Sequence, residues 1–224
     1  RTIFLSYEFQ NIKKLKFLIK QGLNPRCNIL LVLKDKREIP LFPAQFLLNP
    51  NETSLGYYVE AGWVTSNKNI DLPNSKTLWK IEGNRKLTPN SSIKLSWKNN
   101  QNIKFIKEIS IDNQYLFDIK QTIENNSDKT YNFYPYGQII RNIAPEVTNF
   151  YILHEGLIGV FNDQLVEKDY DDIEEKEFSQ KAETGWLGIT DKYWITTLIP
   201  EKNKEFRADF NFKNKFRANF IETK

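Results

Sequence analysis

A strict two-residue periodicity limits what this chain can fold into more than any other feature. Ile103, Phe105, Ile109 and Ile111 share one parity, while Lys104, Glu108 and Ser110 occupy the other. Asp112-Asn113 supplies a turn signal. Tyr115, Phe117, Ile119 and Ile123 then alternate against Asp118, Lys120 and Thr122, up to Asn125-Asn126-Ser127. Successive side chains of a strand point to opposite faces, so the run reads as a hairpin of half-buried strands. Ile93 to Trp97 repeats the pattern on a shorter scale and ends at Asn99-Asn100. Phe206, Ala208, Phe210 and Phe212 alternate with Arg207, Asp209 and Asn211, and Phe216, Ala218 and Phe220 follow the turn at Lys213-Asn214-Lys215. Each such strand needs a facing sheet to cover its apolar side. The expected fold is all-β: a large antiparallel β-sandwich with few short helices.

Ile12, Leu15, Leu18 and Ile19, interleaved with Lys13, Lys14, Lys16 and Lys20, fit either a short basic amphipathic helix or a strand pair. Pro40, Pro43 and Pro50 mark loops or edges. The 224 residues contain no repeat and no low-complexity linker, and 40% of them are hydrophobic, so one domain over residues 1–224 is expected.

The net charge of +4 is too small to argue for nucleic acid, and none is expected as a partner. Its distribution is uneven: residues 1–40 carry +6, residues 201–224 carry +3, and the middle carries −5. Basic ends would suit contact with anionic lipid, with chance scatter as the plainer reading. The single cysteine, Cys27, excludes an intrachain disulfide, and with His154 as the one histidine a Cys/His zinc site is excluded too. No run of 18 apolar residues occurs and there is neither a leader nor a Met, as expected of a segment trimmed from a longer protein.

Chemistry finds little purchase. His154 stands beside Glu155, but neighbours on a strand face opposite ways, so a hydrogen-bonded structural histidine is expected. The stretch from Glu167 to Glu177 holds seven acids and two lysines. Asp169 and Asp171 have the first spacings of a calcium loop, but Ile173 and Glu174 fall where an oxygen ligand and a glycine belong, so a solvated acidic loop is expected. Gly185-Trp-Leu-Gly188 is too bulky to cradle phosphate, and no Gly-x-Ser-x-Gly elbow occurs. Tyr131, Phe133, Tyr134 and Tyr136 are expected as sheet aromatics rather than base-stacking platforms, since basic residues do not interleave with them. Sequons at Asn51, Asn90 and Asn125 carry no function in an Asn-rich chain. No catalytic, cofactor or metal residue is assigned.

Several segments resemble, in order, the large periplasmic domain of the YidC insertase family. They are Tyr57 to Trp63, Leu72 to Trp79, Leu87-Thr-Pro89, Ile93 to Trp97, Phe105 to Asn126, Tyr134-Pro-Tyr-Gly137 with Arg141, Ile152 to Gly156 with Gly159, Tyr170 to Ile173, and Gly185 to Pro200. The likeness covers about residues 55–212 and is of the alphaproteobacterial type. Within 1–50 only Gly22-Leu23 and Ile29 to Leu33 carry it, and the resemblance implies further strands and a closing helix after Lys224.

The resemblance implies a β-supersandwich similar to galactose-mutarotase-like folds. It also implies a parent that inserts and helps fold inner-membrane proteins, alone or with the Sec translocon (SecD, SecF, SecY). This part would stand at the periplasmic face as a non-enzymatic accessory domain; the charge distribution, separately, would put the basic N-terminal segment against anionic lipid. The competing expectation is a carbohydrate-binding or carbohydrate-active sandwich, weakened because one histidine cannot supply two-histidine sugar chemistry. Trp186, Tyr193 and Trp194 are expected to pack the sheet interface, so that Trp194→Ala lowers the melting temperature. Asp191 and Lys192 are expected as turn or edge polar groups.

Overall fold

The computed structural model describes the strand backbones 2–8, 15–18 and 30–33, and residues 55–113, 116–145, 154–191 and 194–223. Sixteen strands and one short helix lie in chain order: β1 (Thr2–Glu8), β2 (Leu15–Leu18), β3 (Leu30–Leu33), β4 (Tyr57–Val64), β5 (Lys80–Glu82), β6 (Ile93–Lys98), β7 (Ile103–Ile111), β8 (Leu116–Asn125), β9 (Tyr134–Arg141), β10 (Gly156–Phe161), β11 (Gln164–Asp169), α1 (Tyr170–Glu175), β12 (Phe178–Ala182), β13 (Gly185–Thr190), β14 (Trp194–Ile199), β15 (Phe206–Phe212) and β16 (Phe216–Glu222). Nine strands form a large sheet in the order β11-β10-β13-β14-β1-β8-β7-β6-β5, and five form a smaller one in the order β12-β15-β16-β9-β4. Every pairing is antiparallel. The sandwich expected from the alternation is what the chain forms. At the N-terminus the strand reading holds for Leu15–Leu18, which pairs with β3.

Local chemistry sets the turns. Asp112 Oδ1 accepts from the Leu116 amide at 2.9 Å and closes the loop between β7 and β8. Asn162 and Asp163 join β10 to β11 with φ of 48° and 66°, the two positive values that a type I′ hairpin turn requires. Gly185 opens β13 at φ 136°, where a Cβ would meet the Val160 carbonyl oxygen at 1.9 Å, so only glycine permits that pairing.

The core lies between the sheets in two clusters. The larger unites Leu187, Ile189 and Leu198 of the large sheet with Phe206, Phe210, Phe216 and Phe220 of the small one. Cross-strand register sets Phe210 opposite Ala218 and Ala208 opposite Phe220, so large meets small across the layer. Each of these phenylalanines is at most 2% exposed and contributes about 1.5–3 kcal/mol by area. The second cluster gathers Trp63, Ile70, Ile103 and Phe105, with Trp79, Trp97, Tyr131 and Phe133 packed against it. Tyr131 and Phe133 thus serve the core, but from the segment that precedes β9 rather than from a sheet.

Two further expectations need correction. The acidic stretch is not a loop: Gln164–Asp169 is a strand and Tyr170–Glu175 a helix. Tyr170 and Ile173, three apart, bury on one helical face, and the acids Asp171 and Asp172 sit in the first turn, where the helix dipole favours them. Trp186 does not pack the interface. It is half-buried opposite Val160, on the parity opposite to core residues Leu187 and Ile189. Tyr193 and the side chain of Trp194 lie outside the described residues.

On the outer face of the large sheet, buried Ser96 donates to Glu82 at 2.6 Å, and the Lys104 and Lys94 ammonium groups lie 3.2 and 3.6 Å from the same carboxylate. The Ser96 hydrogen bond first, then Lys104, hold the Glu82 carboxyl down at about 2, against an ordinary value of 4.5. A depressed folded-state value stabilises the fold above the unfolded one. The contribution is therefore full above pH 4.5 and disappears as the pH falls to about 2. Urea midpoints of Glu82→Gln are expected to lose that part of the acid slope while matching its shape at neutral pH.

Candidate functional site

Alternation also carries polar residues onto the inner faces. On β9, Gly137, Ile139 and Arg141 share the core parity, so Arg141 is the polar end of an apolar row. On β13, Leu187 and Ile189 face inward, and Asp191 continues that row just past the strand end. The ends meet across the sandwich: the Arg141 guanidinium donates to Asp191 Oδ1, with the two side chains 14% and 18% exposed. Arg141 Nε donates to the Ile143 carbonyl at 2.9 Å. The guanidinium lies 5.0 Å from the Tyr57 ring centre and 5.8 Å from that of Tyr170. Such stacking favours a desolvated cation. Asp191 was expected as a turn or edge polar group, and it does lie in the turn after β13; there it is also an inter-sheet partner, because strand parity runs one step beyond the strand.

The phenols complete the cluster as donors. Tyr57, 5% exposed, donates to the Ile189 carbonyl across the interface at 3.2 Å. Tyr170, 8% exposed, donates to Asp191 at 3.4 Å and meets the Phe216 ring edge-on at 4.6 Å. Burial, then the Asp191 charge, pushes the Tyr57 hydroxyl far above the ordinary tyrosine value. Burial does the same to Tyr170, against the pull of Arg141. Both stay protonated, so neither is a base.

His154 adjoins this end. Gly156 pairs with Asp169 on one side and Thr190 on the other, which sets His154, Tyr170 and Asp191 at the same end of the sheet. His154 Nδ1 is 3.1 Å from Asp169 Oδ1, its Nε2 is 3.3 Å from the Leu157 carbonyl, and the ring is 11% exposed. Each ring nitrogen faces an oxygen acceptor, so the neutral ring donates to one of them at a time, and the hydrogen-bonded histidine expected from the sequence is what the structure places here. Among the described residues no three His, Cys, Asp or Glu side chains are grouped to hold a metal ion.

A second set of polar ties lies at the other core cluster. Lys107 and Gln121 are paired across β7 and β8 and share the inward parity of Phe105 and Ile123. Lys107 donates to the Ala61 carbonyl and Gln121 to the Gly62 carbonyl at 2.7 Å. Those carbonyls belong to β4, the edge strand of the small sheet, so side chains of the large sheet tie that outermost strand down. The Lys107 ammonium lies 5.6 and 5.1 Å from the Trp63 and Trp79 ring centres. Both residues were missed in the sequence. The signal was there: each is a polar break in an apolar row, and the hairpin register puts the breaks side by side.

The arrangement's cations face carboxylates, carbonyls or rings, its phenols are donors, and its histidine lies between the Asp169 carboxylate and the Leu157 carbonyl. What fold and site define is an all-β sandwich domain whose interior polar groups tie one sheet to the other.

Comparison with known proteins makes this specific. A profile of the YidC periplasmic domain matches residues 41–224, more of the chain than the expected 55–212. The membrane protein insertase YidC of Pelagibacter ubique is 55% identical over 178 residues, 80% of this chain and 32% of that protein. Its counterpart in Rickettsia bellii is 39% identical over 191 residues, 84% of this chain and 34% of the relative. That of Bradyrhizobium diazoefficiens is 40% identical over 174 residues, 77% and 28% respectively. The chain belongs to the YidC periplasmic domain family, and it spans about a third of the length of the curated relatives it matches. The segments that carried the resemblance are those that build the ties: Tyr57, Arg141, Tyr170 and Asp191 each come from a different one.

Proposed function

We propose that this chain is a single, non-enzymatic periplasmic accessory domain of a YidC-type insertase, whose whole protein inserts and helps fold inner-membrane proteins, alone or with Sec translocon components such as SecD, SecF and SecY. The family match over residues 41–224 carries this reading. The mutual pairing of Arg141, Asp191, Tyr57 and Tyr170 supports the non-enzymatic part, since these side chains are committed to holding the sheets together. The basic N-terminal segment, at +6 over residues 1–40, adds contact with anionic lipid at the membrane.

The test replaces this domain by an inert linker in the whole insertase and follows insertion of an inner-membrane reporter. An accessory role predicts insertion that persists at reduced rate. Complete loss, with the truncated protein stably present in the membrane, would contradict it. A thermal-shift panel of sugars on the isolated chain addresses the carbohydrate alternative: a clear, saturable rise in melting temperature with one sugar would favour that alternative.

A further inference from the structure

Residues 65–107 hold nine basic residues against two acids, Asp71 and Glu82, a local excess of +7 in a chain whose total is +4. Much of this excess collects at one corner of the large sheet. Lys80 pairs with Ser96, and Lys98 with Lys104, so all share the face opposite the core row of Leu95 and Trp97; Lys80 and Lys98 are exposed there, while Ser96 between them is buried. The loop carrying Lys68 is held to the adjoining turn, with Asn99 Nδ2 donating to the Asp71 carbonyl at 3.0 Å and Gln101 Nε2 to that of Asn69 at 3.4 Å. Lys104 and Lys94 are occupied by Glu82, and Lys104 also lies 3.9 Å from Glu124. Lys68, Lys76, Lys80 and Lys98 are exposed and make no ion pair among the described residues.

Leu78 stands among these cations at 81% exposure, the highest of the exposed large apolar side chains among the described residues. It does not fray outward. On one side the Asn74–Thr77 turn is closed by the Thr77 amide to the Asn74 carbonyl at 3.1 Å and the Asn74 amide to Thr77 Oγ1 at 2.8 Å, with Thr77 6% exposed. On the other side Trp79 packs against both core clusters. The backbone is fixed at both ends, and the leucine between is held in water with Lys76 and Lys80 two residues to either side.

We propose that this corner is a docking surface for an anionic lipid bilayer, with the lysines meeting headgroup phosphates while Leu78 enters the acyl boundary. Charge complementarity selects an anionic partner. The projecting leucine favours a lipid surface over nucleic acid, because the nearby Trp79 and Trp97 are turned into the core and offer no stacking platform. The corner is distinct from the N-terminal lysines. Membrane proximity rests on the proposed function, but vesicle binding by the isolated chain reads the lipid contact without reference to insertion.

The test is flotation of the 224-residue chain with vesicles of phosphatidylcholine alone or mixed equally with phosphatidylglycerol. The mixed vesicles are expected to carry the chain in a salt-sensitive manner, and the neutral ones not to. Each lysine at an anionic surface multiplies partition about fivefold, so Lys76→Gln/Lys80→Gln/Lys98→Gln is expected to weaken binding about 100-fold at an unchanged melting temperature. Leu78→Ser is expected to weaken it about tenfold. Undiminished flotation of the triple variant, equal binding to neutral vesicles, or retention on single-stranded DNA without vesicle binding would each overturn the proposal.

Discussion

Asp191→Ala is expected to lower the stability of the chain by about 3–5 kcal/mol, read as the urea midpoint of tryptophan fluorescence. The substitution removes the one carboxylate that Arg141 meets across the sandwich and the acceptor of the Tyr170 hydroxyl. Arg141 would keep its charge, with 14% of its side chain in water and the Tyr57 and Tyr170 rings on it. An uncompensated charge in that position costs far more than the net value of the pair. The same logic predicts an asymmetry. Arg141→Met together with Asp191→Leu removes both charges and fills the space with apolar atoms, and should return the stability to within about 1 kcal/mol of the starting chain. A double variant as unstable as the single one would mean that the pair supplies net stability rather than mutual neutralisation.

Phe105→Ala is expected to cost about 3–5 kcal/mol and to lower the melting temperature by roughly 6–20 °C. Phe105 has no exposed surface and stands at the centre of the second cluster, 5.2 Å from the Trp63 ring, 5.8 Å from Trp97 and 5.7 Å, edge-on, from Phe133. Three rings surround it on two sheets and a loop, so the cavity cannot close by one side chain swinging in. Lys107 sits two residues along the same inward row, over Trp63 and Trp79, so loosening the aromatic cluster should also loosen the capped edge of β4. Differential scanning calorimetry checks the size of the loss. Hydrogen exchange at the β4 amides checks its direction, with faster exchange expected there than at β15 and β16.

The strands were legible because one physical rule, alternation across a pleated sheet, writes itself into the residues. Phe105, Phe117 and Phe210 could be assigned to a core face from parity alone, and each is fully buried. Parity also held the information that was passed over. Lys107 and Gln121 break two apolar rows, and an Asx-closed turn fixes the register that sets them opposite each other. Read pair by pair, the hairpin announces a buried polar step. The Arg141–Asp191 tie was not legible in the same way. Arg141 and Asp191 are 50 residues apart, and nothing local to either says which row of the facing sheet it will meet. The acidic stretch misled for a different reason. Its charge density suggests solvation, but Tyr170 and Ile173 at helical spacing outweigh it once a core is there to receive them.

The central claim is that the buried polar groups hold the two sheets together. Its most direct test is the Arg141→Met/Asp191→Leu variant placed in the proposed parent insertase, with reporter insertion and the unfolding of the isolated domain measured side by side. The account predicts a domain that unfolds near its original midpoint and a parent that inserts at its original rate. Insertion lost while the domain stays folded would show these residues acting on something other than each other.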